Sequence, residues 1–299
     1  MSLLMDIASR ATCGVIGGAM GLALGRFPRV VRIETTNCCN AQCVICPHRS
    51  MQRAKEVMSE GLFTRLVDES AASGCREVHL HNFGEPLLDP RLADRVRYVK
   101  SRGVPKVKIF SNGSLADEGR GRSLIEAGLD EIKISFDGST REEFEAIRTP
   151  LAFDQVIENV HRLVAMRNEM KSPMKITINC CSTSDKAGTM RALEKAVDGF
   201  SFDKVHNWAT EEVDQNASPT GRVRKPCSRL WRTFTVLANG DVALCCLDYD
   251  GKHLLGRIDA NTSMADVWAS QAYRTVRRQH ARGRQGELEL CRTCSKSFL

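Results

Sequence analysis

The sequence predicts an α/β chain: a partial (β/α)6, TIM-like barrel followed by a small β-hairpin plus helix domain. Two observations carry this. From Arg29 onward, short β-rich runs alternate with helical stretches six times, and strands separated by helices pair in parallel through right-handed crossovers that curl the sheet. Later the alternation gives way to a hairpin signal and one long helical pattern. The expected divisions are an N-terminal helix over 1–28, the barrel core over 29–215 and the small domain over 216–299.

Each element has its own warrant. The segment Cys13-Gly-Val-Ile-Gly-Gly-Ala-Met-Gly-Leu-Ala-Leu24 is apolar and Gly-rich like the core of a signal peptide, yet too short to span a membrane. Export would also carry the cysteines into an oxidising compartment, so a helix packed on the catalytic domain is expected. The expected strands are Val30 to Thr35, Glu77 to His81, Lys106 to Ser111, Glu131 to Phe136, Lys175 to Asn179 and Lys204 to Trp208. Between them, Ser59-Glu-Gly-Leu-Phe and Ser139-Thr-Arg-Glu-Glu-Phe place Ser or Thr before acidic first-turn residues, the signature of helix starts. Further on, Phe234-Thr-Val-Leu-Ala-Asn239-Gly240-Asp-Val-Ala-Leu forms two strands around an Asn-Gly turn. A helix from about Met264 to Arg282 then returns the chain end to this hairpin.

Composition narrows the class. The 299 residues carry 43 basic and 36 acidic side chains, a formal charge of +7, which permits an acidic or phosphorylated partner without demanding one. The densest basic stretch, Arg274 to Arg284 with Arg277, Arg278, His280 and Arg282, is interleaved with Tyr273 and Val276. It is expected to be the solvated face of an amphipathic helix, with no nucleic-acid partner. The thirteen cysteines are odd in number and grouped in short C-C and C-x2-C pairs, which argues against a secreted disulfide framework and for a reducing, cytoplasmic location.

The chemistry begins at Asn37-Cys-Cys-Asn-Ala-Gln-Cys-Val-Ile-Cys-Pro-His48, where Cys39, Cys43 and Cys46 have the spacing C-x3-C-x2-C directly after the first strand. Iron-sulfur clusters are normally held by four thiolates, so three leave one iron open to a small ligand. Zinc is the alternative for such a set, though structural zinc usually pairs two C-x2-4-C knuckles. Starting from Cys38 would give C-x4-C, so Cys39 is the first ligand of the trio.

This motif resembles the radical S-adenosylmethionine (SAM) superfamily. The resemblance implies a [4Fe-4S] cluster whose open iron is chelated by the amino and carboxylate groups of SAM, and a 5′-deoxyadenosyl radical made by reductive cleavage. An external one-electron donor such as flavodoxin or ferredoxin would supply the electron. After the second strand, His81-Asn-Phe-Gly84-Glu85-Pro86 resembles the family's Gly-Gly-Glu-type motif with Phe83 in place of the first glycine. That implies Gly84 and Glu85 as contacts of the SAM amino group, through close backbone approach and a carboxylate acceptor. Asn112 and Ser135 end the third and fourth strands, and with Arg148 they are the remaining implied SAM contacts.

The second cysteine set is Cys227, Cys245, Cys291 and Cys294. It resembles the shortened SPASM domain, Twitch, and implies one auxiliary [4Fe-4S] cluster; a zinc ribbon is the alternative. Cys246, beside the motif ligand Cys245, is left without a metal role. A thiol S–H bond is weak enough to give hydrogen to a carbon radical, so Cys246 is the candidate donor in an epimerisation, with Cys180 and Cys181 as weaker ones. The layout is similar to aminoglycoside-pathway epimerases and dehydrogenases, which implies a sugar or cyclitol substrate. Dehydrogenation through the auxiliary cluster, modification of a ribosomal peptide and a non-catalytic zinc protein binding nucleic acid remain as alternatives. With only about 28 residues ahead of the first strand, a small substrate is expected over a peptide.

Overall fold

The computed structural model describes residues 3–182, 185–193, 197–205, 208, 223–292 and 294. Helix α1 (Leu3–Leu22) precedes an alternation of β1 (Val30–Ile33), α2 (Glu60–Ala72), β2 (Glu77–His79), α3 (Leu92–Ser101), β3 (Lys106–Ser111), α4 (Glu118–Glu126), β4 (Glu131–Ser135), α5 (Arg141–Ile147), α6 (Phe153–Glu169), β5 (Lys175–Cys180), α7 (Lys186–Leu193) and β6 (Gly199–Phe202). Then come α8 (Arg229–Arg232), the strands β7 (Thr233–Val236), β8 (Asp241–Ala243) and β9 (Leu254–Arg257), and the helices α9 (Met264–Trp268), α10 (Gln271–Ala281) and α11 (Glu289–Arg292). Residues 32–205 form one compact unit; residues 1–31 and 206–299 form the other.

The larger unit is the predicted partial barrel. Its strands lie in the order β6-β5-β4-β3-β2-β1, and β2 through β6 pair in parallel. Alternate side chains, Val78, Val107, Ile109, Ile132, Ile134, Ile176 and Ile178, are fully buried and face the apolar stripes of the helices, as Ile134 does Val156 of α6 across Gly113. Each such side chain contributes about 2 kcal/mol by leaving water. Helix starts follow the expected chemistry: Ser59 Oγ accepts from Leu62 N at the head of α2, and of the Ser139-Thr140 pair it is Thr140 that caps α5. Cap bonds of this kind are worth about 1 kcal/mol.

The sixth strand differs from expectation. It is Gly199–Phe202, whereas Lys204 and Val205 are irregular and Trp208 has φ +49; His206 and Asn207 lie outside the described residues, as does the expected boundary at residue 215. All four residues of β6 are half-buried, and Gly199-Phe200-Ser201-Phe202 is only four residues long and holds a glycine and a serine but no β-branched residue, a weak strand signal.

In the smaller unit, β7 and β8 make the expected hairpin, with Val236 opposite Val242 and Gly240 at φ +92, a backbone conformation glycine adopts readily. A third strand, β9, pairs antiparallel with β8. The single helix expected over 264–282 is two, since α9 ends at its C-cap Ala269 and Ser270 caps α10. Arg277 and His280 are buried, not solvated: the Arg277 guanidinium lies 4.0 Å from the Trp268 ring centroid and 4.6 Å from that of Tyr273.

The expectation is packing on the catalytic domain; helix α1 belongs to this smaller unit, where it packs on α10. Gly17 makes the approach possible, because a Cβ there would sit 2.6 Å from Ala281 Cβ. Among the described residues no helix is long and apolar enough to cross a membrane.

Candidate active site

The first cysteine loop is fixed at its base before any thiol is considered. Asn37 Nδ2 donates to Ala54 O at 2.7 Å and its Oδ1 accepts from Glu56 N at 2.7 Å, so one buried side chain closes the loop. Farther along, Gln42 N and Val44 N donate to Thr149 O and Ile147 O at 2.7 and 2.9 Å, tying the Cys43 region to the end of α5. Asn40 reaches the β3 end, accepting from Asn112 Nδ2 and donating to Ser114 Oγ, both at 2.9 Å.

Gly84 and Glu85 complete this frame. Gly84 has φ +90, and a Cβ there would meet Cys38 O at 2.7 Å and Thr36 O at 2.8 Å, so only glycine lets the chain press on the cysteine loop. Glu85 N donates to Cys38 O at 2.7 Å. The Glu85 carboxylate, 1 % exposed, accepts from Leu87 N and Ser111 Oγ on Oε1 and from Asn112 N on Oε2. Burial pushes its pKa up, and these bonds oppose that rise. A carboxylate oxygen has two lone pairs, so an ammonium meeting Glu85 shares it with the protein.

Burial also raises the Cys39 and Cys46 thiols, to about 12 and about 11, with their fellow cysteines adding to the rise. Cys43 is buried and moves up for the same first reason, but Arg148 opposes it. The Arg148 guanidinium is buried, lies 3.9 Å from Cys43 Sγ and is paired with the fully buried Asp137. Asp137 also accepts from Cys181 N and Ser182 N at 2.5 and 2.7 Å. Ser135 ends β4 half-buried, opposite Asn179 in the register.

In the smaller unit, Cys227 N donates to His280 Nδ1 at 3.3 Å. Arg224 donates to the carbonyls of Cys291 and Arg292 at 3.4 and 2.6 Å, joining the two ends of the second set. Cys245 is raised by burial and next by Cys246, and burial takes Cys291 to about 12. Arg229 stands among Cys246, Cys227, Cys245 and Cys294, and their charge as thiolates, that of Cys246 first, raises its pKa. Asp248 fixes the turn beyond Cys246 by accepting from Lys252 N and His253 N, both at 2.9 Å.

Among the described residues no three His, Cys, Asp or Glu side chains are gathered to hold a single metal ion. The donor chemistry fits iron-sulfur clusters: each buried set contains thiols that burial keeps neutral until a metal takes the proton's place. Each also has one cation, the buried Arg148 or the half-buried Arg229, to offset thiolate charge. Sequence reasoning missed Arg229 and Asp137. An Arg two residues after a cysteine and an Asp closing an apolar strand were their only signals. Cys180, one of the weaker donor candidates, is 1 % exposed, and Cys181 accepts from Asn179 Nδ2 at 3.1 Å.

Residues 33–178 match the radical SAM superfamily, and residues 227–295 match the SPASM iron-sulfur cluster-binding domain. The chain belongs to the radical SAM superfamily and carries a SPASM domain. Its cofactors are a [4Fe-4S] cluster that binds SAM and an auxiliary SPASM cluster.

Among curated proteins it is similar to GTP 3′,8-cyclase of Chlorobaculum tepidum, 34% identical over 142 residues, 47% of this chain and 42% of that one. The probable GTP 3′,8-cyclase of Methanopyrus kandleri is 32% identical over 172 residues, 57% of this chain and 53% of the relative. The chain thus spans about half the length of the curated relatives it matches. Two solved structures share its fold. BtrN in complex with AdoMet and 2-DOIA is 18% identical, with TM-score 0.63 over 90% of this chain and 93% of that one. Streptococcus suis SuiB bound to precursor peptide SuiA is 14% identical, with TM-score 0.65 over 87% and 69%.

Proposed function

We propose that the protein abstracts hydrogen from a carbinol or amine-bearing carbon of a sugar- or cyclitol-type small molecule and returns hydrogen to the opposite face, giving the epimer. The observation that carries this is that Cys246, half-buried like its neighbour Cys245, lies outside the four-cysteine motif and so keeps a thiol to give. Cys39, Cys43 and Cys46 hold the first cluster; Cys227, Cys245, Cys291 and Cys294 hold the second. Gly84, Glu85, Asn112, Ser135 and Arg148 form the seat for SAM, with Glu85 sharing its Oε2 and Arg148 facing the carboxylate. When bound, SAM and the first cluster supply the 5′-deoxyadenosyl radical that takes the substrate hydrogen.

Cys246 then gives its S–H hydrogen to the substrate carbon, and the thiyl left behind regains a proton and an electron from the external reductant. A second reading is two-electron oxidation of the same carbon, with a proton lost to solvent and an electron leaving through the second cysteine set. Arg229 favours it, because a cation among the thiols stabilises an added electron.

Turnover in deuterated buffer separates the two. Wild type is expected to place one solvent deuterium on the inverted carbon, while Cys246→Ala forms 5′-deoxyadenosine without epimer. Ketone formation by both proteins would overturn Cys246 as the donor and leave the oxidation.

A further inference from the structure

The face of the barrel sheet opposite its isoleucines carries groups that none of the steps above uses. Strand alternation places Arg32, His79, His81, Lys108, Lys133 and Thr177 there. The register joins them across strands: His79 is opposite Lys108, Phe110 is opposite Lys133, and Lys133 is opposite Thr177. The His79 and His81 rings stack at 5.5 Å, and the His81 ring lies 4.6 Å from that of Phe110. Both Lys108 Nζ and Lys133 Nζ stand over Phe110, at 5.2 and 5.6 Å from its centroid.

Four polar atoms of this cluster are buried without a hydrogen-bond partner among the described residues: Arg32 Nε, His79 Nδ1, His81 Nδ1 and Thr177 Oγ1. His81 is only 7 % exposed. Buried donors left unpaired are costly, so such a concentration marks a place where a partner is received. The carboxylates of the face are already engaged, Glu131 by Lys106 and Lys108 at 2.7 and 2.6 Å and Glu77 by His79 at 3.1 Å. Lys133 donates to a neutral group, Ser201 Oγ, at 3.2 Å. Arg32, Lys106, Lys108 and Lys133 stand on this face against Glu77 and Glu131, so it carries excess positive charge; burial first, and then Arg32, His79 and Lys108, hold the His81 imidazole well below its ordinary pKa.

We infer that this face binds a phosphoryl group of the substrate, with Arg32, Lys133 and Thr177 as its donors and the His81 and Phe110 rings beside it. The inference rests on the sugar- or cyclitol-type reading and names its class: a phosphorylated substrate, not an amine-rich one, which this field would repel. A tetrahedral phosphoryl dianion presents three terminal oxygens to donors from three strands, whereas a planar carboxylate presents two.

The test is calorimetric titration of the reconstituted protein, holding both clusters and SAM, with glucose 6-phosphate, glucose, gluconate and glucosamine. Glucose 6-phosphate is expected to bind at least about tenfold more tightly than the other three, Lys133→Gln to lose about tenfold, and Lys133→Arg to regain most of it. Should Lys133→Gln not fold, as judged by circular dichroism, Thr177→Val carries the same expectation in weaker form. Equal binding of glucose or gluconate, or wild-type affinity in the folded variants, overturns the inference. Brown protein that cleaves SAM yet binds no glucose 6-phosphate overturns it alone; colourless, iron-free protein overturns the functional reading beneath it.

Discussion

Arg148 holds its guanidinium between the Asp137 carboxylate and the Cys43 sulfur, and both neighbours depend on that one cation. With Arg148 replaced by Met, Asp137 would keep its two backbone donors, Cys181 N and Ser182 N, but lose its counterion while fully buried. Removing one partner of a buried pair costs about 3 kcal/mol or more. Arg148→Met should lower the unfolding free energy by that amount in urea denaturation, and adding Asp137→Asn should recover part of it. If the double variant costs the sum of the singles, the pair is not what stabilises the loop. At this scale the sequence was legible where spacing speaks and silent where partners are distant. Cys39, Cys43 and Cys46 announce themselves within eight residues, whereas Arg148 meets Cys43 from 105 residues away, and nothing local distinguishes it from a solvated arginine.

Helix α1 shows the same division among elements. Its helical character was legible in an apolar, small-residue run, but its docking partner was not, because Gly17 specifies close approach without specifying to what. In the fold Ser9 Oγ accepts from Arg224 N at 3.1 Å and Cys13 Sγ donates to Arg224 O at 3.4 Å, while Arg224 itself holds the Cys291 and Arg292 carbonyls. The helix thus braces both ends of the second cysteine set. Gly17→Val would drive a side chain into Ala281, whose Cα lies 2.7 Å from the position its Cβ would take, and push α1 off α10. Iron per chain should fall from about eight to about four on reconstitution, with SAM cleavage retained. A variant that keeps all its iron would show that α1 does not brace the cluster. Strands followed the same logic: β7 and β8 were legible from Asn239-Gly240, but the half-buried edge strand β6 is four residues with a glycine and no β-branched residue.

For the whole molecule, the assignment of each cysteine set to its own compact unit has a direct consequence. Cys39, Cys43 and Cys46 lie in the unit spanning 32–205, and their loop is tied to β2, β3 and α5 of that unit. Cys227, Cys245, Cys291 and Cys294 lie in the other and are joined through Arg224, His280 and Asp248, all within it. Among the described residues, the bonds that organise one set do not need the other set to be filled, so the two clusters should assemble separately. Cys43→Ala is expected to lose about four of about eight irons and all SAM cleavage. Cys227→Ala should lose the other four and still cleave SAM to 5′-deoxyadenosine, since the first site and its SAM seat are intact. Iron and sulfide analysis with chromatography of the nucleoside products checks both. Loss of all iron from either variant would mean that one unit folds around its cluster only after the other has done so.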